Sequence, residues 1–123
     1  RPVERKSDKM KIRKIAELLE AEILCGEQYS DYNLEFAFSS DLMSDVLTTR
    51  KDSMLLITGL ANVQTIRTSE MSDIRCIVFV RGKKVNEEMI ELASQNEMVL
   101  IACRYSMFKT SGLLYAAGIQ PVY

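Results

Sequence analysis

The stretch formed by residues 53–80, SMLLITGLANVQTIRTSEMSDIRCIVFV, limits the possible fold more than any other. It opens on an unbroken apolar run (54–57), turns at Gly59, continues through a helix-compatible segment (62–71) and closes on a second apolar run (76–80). Runs of Val, Ile and Leu without polar alternation suit strands covered on both faces, as in a parallel sheet. The link between the two runs is long enough for a right-handed crossover helix. The unit is strand–helix–strand, and it predicts an α/β domain. Nothing in it proves a reaction.

The flanking sequence extends the pattern. Ile12, Ile15, Leu18 and Leu19 form one apolar helical stripe, with Lys14 and Glu17 placed to pair across a turn. Residues 21–25 suggest a short strand ending at Gly26, and residues 27–30 a polar loop. Alternation at Tyr32, Leu34, Phe36 and Phe38 predicts a strand over 32–38. Ser39, Ser40 and Asp41 are N-cap residues for a short helix burying Leu42, Met43, Val46 and Leu47. After the basic turn 81–84, Asn86 caps a helix carrying Glu87 and Glu88 in its first turn, where the helix dipole favours carboxylates. Its buried stripe is Met89, Ile90, Leu92 and Ala93. Residues 98–103 form another buried strand, and 107–117 a last helix facing inward through Met107, Leu113, Leu114 and Ala117. Gly118 and Pro121 stop it. The expected fold is a small sheet of mainly parallel strands with helices packed on it, the first two strands being a hairpin-like addition. Residues 10–123 are expected to form one domain, preceded by a disordered leader or residual sequence over 1–9.

Composition removes several function classes. There is no histidine, which excludes Ser–His and Cys–His dyads and the commonest zinc sets. Cys25, Cys76 and Cys103 are too scattered for a disulfide framework, and each reads as a small reduced hydrophobe. Residues 1–14 carry seven Lys/Arg against two Asp/Glu, while the remainder holds nine against fifteen. An acidic body repels nucleic-acid backbones, and the basic head lacks the aromatic interleaving of a binding arm. No apolar run nears the roughly 20 residues of a membrane span, and no signal peptide is visible, so the expected address is the cytoplasm.

In open α/β sheets, ligands sit beyond the carboxyl ends of the strands, here residues 39–41, 58–62 and 104–106. The Thr58–Gly59 turn leads into a helix and can offer backbone N–H groups to an anion. Arg104 suits bidentate phosphate contact. Ser40, Asp41, Thr58, Gly59, Asn62, Arg104 and Ser106 are therefore the candidate ligand-binding residues. The plainer alternative assigns Thr58 and Asn62 to helix capping, Gly59 to a tight turn and Arg104 to solvent. The RGKK turn at 81–84 is similar to a phosphate clamp, though turns commonly carry such charge. Ser40 beside Asp41 has no neighbouring base and reads as a cap rather than a nucleophile. The methionines, seven in all, suit either core filling or an adaptable dimer surface.

Three stretches give the chain a resemblance to the DRTGG domain family. GEQYSDYNLEFAFSSDLMSDVL resembles the family's opening segment, with Asp31, Ser40 and Asp41 on its polar positions. Residues 53–83 resemble its strand–loop–helix–strand segment, with Thr58 and Asn62 at the polar turn, and residues 87–119 its closing helix–strand–helix. The family's glycine pair and arginine are absent from the region of Tyr32–Asn33 and Phe36–Ala37, where a bulky Phe36 would alter a close backbone approach. The resemblance implies a fold related to the amino-terminal domain of HPr kinase/phosphorylase. It also implies a non-catalytic regulatory domain, a tendency to homodimerise, no cofactor, and an adenine nucleotide or similar phosphorylated metabolite as ligand. The rival expectation is a homodimeric scaffold that docks a protein partner and binds no small molecule.

Overall fold

The computed structural model describes residues 9–49 and 51–123. The leader expected over 1–9 lies outside the described residues except for Lys9, as does Arg50 in the link after the first short helix. The chain runs β1 (Met10–Lys11), α1 (Ile12–Leu18), β2 (Glu22–Cys25), a 3-10 turn (Glu27–Tyr29), β3 (Asn33–Leu34), β4 (Phe36–Ser39) and α2 (Met43–Thr48). It continues through β5 (Met54–Thr58), α3 (Val63–Met71), β6 (Cys76–Phe79), α4 (Glu87–Gln95), β7 (Val99–Ala102), α5 (Met107–Ala116) and β8 (Gln120–Pro121).

Six strands make one mixed sheet in the order β2-β7-β6-β5-β4-β8, and β1 pairs with β3 in a separate ribbon. All neighbours in the large sheet are parallel except β2, which is antiparallel to β7. From β4 to β7 the chain steps one strand at a time in a single direction, so right-handed crossovers place α2, α3 and α4 on one face. From β7 it returns across the sheet to β8, and the reversed direction puts α5 on the other face beside α1. Alternate strand residues feed the two resulting cores. Leu55, Ile57, Val78 and Ile101 pack with Ile12 and Ile15 of α1 and Leu114 of α5. Leu56, Ile77, Phe79 and Leu100 pack with Val46 of α2, Ile66 of α3, and Met89 and Ala93 of α4. The result is a three-layer α/β/α sandwich.

The central unit folds as expected, and the periphery departs from expectation in four places. First, β2 and β4 are not a hairpin: three strands separate them. The 3-10 turn and β3, which is bonded to β1, carry the chain across to the far side of the sheet instead of reversing it tightly. Second, the strand expected over 32–38 is broken, because the N–H groups of Glu35 and Phe36 both reach the Ser53 carbonyl (2.9 and 3.1 Å). Third, α2 buries only Val46 fully, leaving Leu42 57% and Leu47 41% exposed. Fourth, Gly118 ends α5 at φ 115°, but Pro121 is no mere stop. It pairs with Ala37 in an edge strand, where proline's missing donor is tolerated.

Candidate functional site

Parallel pairing brings the carboxyl ends of β4, β5, β6 and β7 to one rim of the sheet. Asp41, just past β4, reaches across to the end of β5. Its Oδ1 accepts a hydrogen bond from the Gly59 N–H (2.7 Å) and another from the Thr58 hydroxyl (2.8 Å). The Thr58 Oγ1 in turn accepts the Leu60 N–H at 3.1 Å. The Gly59 hydrogen bond holds the Asp41 carboxyl below its usual pKa, helped by the Thr58 hydroxyl and by the charges of Arg81 and Lys83, and opposed by partial desolvation.

Those two cations come from the turn after β6. Arg81 (φ 64°) and Gly82 (φ 65°) form a left-handed corner. It is stitched to the exit of β7 by Arg81 N–H to the Tyr105 carbonyl (2.8 Å) and Gly82 N–H to the Cys103 carbonyl (2.9 Å). The Arg81 guanidinium lies directly over Gly59: a Cβ on Gly59 would meet its Nη2 at 2.5 Å. The space a side chain at position 59 would take is thus held by the flexible end of Arg81, and the backbone angles there do not call for glycine. Among the described residues, Arg81, Lys83 and Arg104 make no ion pair with a carboxylate. The connections leaving β6 and β7 depart to opposite faces, so this corner stands at the topological switch of the sheet, where open α/β folds form their ligand crevice.

The candidate residues fall into three groups. Asp41, Thr58 and Gly59 are joined in one hydrogen-bonded cluster, with Ser40 beside it: its N–H donates to the Ile57 carbonyl and its hydroxyl accepts the Leu42 N–H (both 3.0 Å). Asn62 and Ser106 are helix caps, accepting the N–H groups of Thr65 (2.9 Å) and Lys109 (3.1 Å). Arg104 is exposed on the β7–α5 connection. Arg81 and Lys83, which a sequence reading leaves in a basic turn, are the cations that stand by Asp41. Only the adjacency of β5 and β6 reveals that. Asp31, one of the positions carrying the family resemblance, lies elsewhere and pairs with Arg13 at 2.7 Å. Phe36 stands at the amino end of β4, away from this rim, its ring under the Lys51 ammonium (5.1 Å).

Burial of Cys76 raises its thiol pKa well above the ordinary value, and all three cysteines are free. Among the described residues, no group of three His, Cys, Asp or Glu could hold a metal ion, and no helix is long and apolar enough to cross a membrane.

An α/β sandwich with a polar, partly cationic switch-point rim is a common class of small-molecule-binding fold. Comparison with known proteins narrows it. A model of the DRTGG domain matches residues 14–117, and the chain belongs to that family. The fold is similar to that in a crystal structure of the CBS and DRTGG domains of the regulatory region of Clostridium perfringens pyrophosphatase, complexed with its activator diadenosine tetraphosphate. The similarity has a TM-score of 0.72 at 18% identity and covers 91% of this chain. The chain spans 48% of that longer one. No curated protein matches the chain significantly.

Proposed function

We propose that this domain is a ligand-sensing regulatory module whose ligand is a phosphorylated metabolite, an adenine nucleotide in the first instance, bound at the carboxyl rim of the sheet. The observation that carries this reading is the set of cations at the rim. Arg81 lies over the Thr58–Gly59 turn, the charge of Lys83 reaches the Asp41 bound to that turn, and Arg104 lies on the adjoining connection, none of them ion-paired among the described residues. Such charge attracts phosphate, and backbone N–H groups at the start of a helix complement it. The adenine-nucleotide activator of the clostridial regulatory region supports the choice of ligand class. Ligand binding would bias how α2 sits on the sheet, a population shift rather than a reaction. Titration calorimetry with AMP, ATP and diadenosine tetraphosphate tests it. Binding of at least one, weakened at least about tenfold by Arg81→Ala, is the expected result; heat-silent titrations with all three would remove the proposal.

A second reading, a homodimeric scaffold, rests on a different surface. An apolar groove of about 430 Å³ lies between α5, β4 and the C-terminal strand, rimmed by Phe108 (88% exposed), Tyr115 (52%) and Tyr123 (88%). If it is a self-association surface, sedimentation shows a dimer that Phe108→Asp dissociates. A wild-type monomer at high concentration removes this second reading.

A further inference from the structure

We infer that Asp41 is a resident anion, occupying the position that a ligand's phosphoryl group takes, so that binding exchanges carboxylate for phosphate at Gly59. The inference rests on the proposed phosphate-binding role of the rim and specifies how the site is regulated.

Three observations carry it. The Gly59 N–H and the Thr58 hydroxyl converge on a single oxygen of Asp41, at 2.7 and 2.8 Å. Two donors closing on one anionic oxygen is the arrangement a phosphoryl oxygen needs. The carboxylate is also within the influence of Arg81 and Lys83, yet neither reaches ion-pair distance from it. A single-charged carboxylate leaves that positive charge under-used, whereas a dianionic phosphate has further oxygens to offer it. Finally, Asp41 is solvent-exposed and set on a short connection, so an incoming ligand has access to it and the side chain has somewhere to go.

The exchange has a structural consequence. Asp41 lies two residues ahead of α2, and its bonds to β5 tie the entrance of that helix to the sheet. α2 in turn meets the end of α3, where the Ser72 hydroxyl donates to the Val46 carbonyl at 3.2 Å. Freeing Asp41 loosens the entrance to α2 while the buried Val46 keeps its anchor, so the exposed Leu42 and Leu47 are the residues whose presentation changes. The ligand signal is thus an altered α2 surface.

The test is a titration of the ¹⁵N-labelled full chain with AMP and with inorganic phosphate, in the wild type and in Asp41→Ala, with Asp41→Asn as a second variant that keeps the side-chain volume. Removing the competing carboxylate is expected to tighten AMP binding about fivefold, because the open state no longer has to be won from the closed one. The Gly59 amide resonance is expected to move in all three proteins, and the α2 amides only in the wild type. If AMP binds equally or more weakly when Asp41 is replaced, the exchange is wrong while the phosphate-binding rim stands. If neither probe moves any amide in any of the proteins, the rim does not bind phosphate and both fall.

Discussion

Asp41 is held by backbone and hydroxyl donors rather than by an ion pair, and this sets its pH dependence. Its carboxyl pKa is lowered from 3.8 in the folded chain, chiefly by the Gly59 N–H. A depressed folded-state pKa gives stability that is present above the unfolded value and is lost as pH falls through the folded value. Asp41→Asn should therefore lower stability at pH 7 by about 1 kcal/mol or less, since the site is exposed. Urea denaturation should show the gap to wild type closing below pH 3.8. A gap that widened in acid would contradict this account of Asp41. Gly59→Ala separates stability from binding at the same place. The added methyl meets the mobile end of Arg81 rather than backbone. The expected outcome is a stability change under about 1 kcal/mol, because exposed side chains move aside cheaply, with loss of AMP affinity in the same calorimetric titration. Gly26→Ala is the contrasting case: at φ 81° a Cβ would lie 2.5 Å from the Met98 carbonyl oxygen and 2.9 Å from the Val99 Cα. Neither can yield, so destabilisation of about 2 kcal/mol or more is expected on thermal unfolding.

At the scale of elements, the sequence was most informative where burial is complete. β5 and β6 are buried along their full length, so their apolar runs have no polar interruption to blur them. Asn62 and Asn86 are caps with a visible signature, each accepting an N–H at 2.9 Å. Asn62→Ala should cost about 1 kcal/mol, measurable by chemical denaturation; no change would mean that the Thr65 hydroxyl, which donates to the Leu60 carbonyl at 2.7 Å, is enough to fix that turn. Where pairing is short the signal fades. β3 and β8 have two residues each, too few for a period-2 pattern, and Pro121 argued against a strand. The positions of β2 and β4 depended on which strands they join, a non-local choice that neither alternation nor length encodes. The candidate site was legible to the same degree. Asp41, Thr58 and Gly59 follow from strand ends, but Arg81 becomes part of the cluster only once β6 is known to lie beside β5.

For the whole molecule, the two-faced wrapping of the sheet separates tasks. The rim at the ends of β4 to β7 gathers the polar and cationic groups, while the groove beside β8 gathers exposed aromatic ones. In the proposed account, a regulatory domain of this family reads a phosphorylated metabolite at the rim and reports it through α2. Thermal unfolding of wild type and Arg81→Ala, with and without AMP, ATP and diadenosine tetraphosphate, tests that claim most directly. At a hundredfold excess over its dissociation constant, a ligand adds about 2.7 kcal/mol, a rise of roughly 10 °C in Tm for a domain of this size. The account predicts such a rise for at least one nucleotide in the wild type and its loss in Arg81→Ala. An unchanged Tm with every nucleotide, or an equal rise in both proteins, would contradict it.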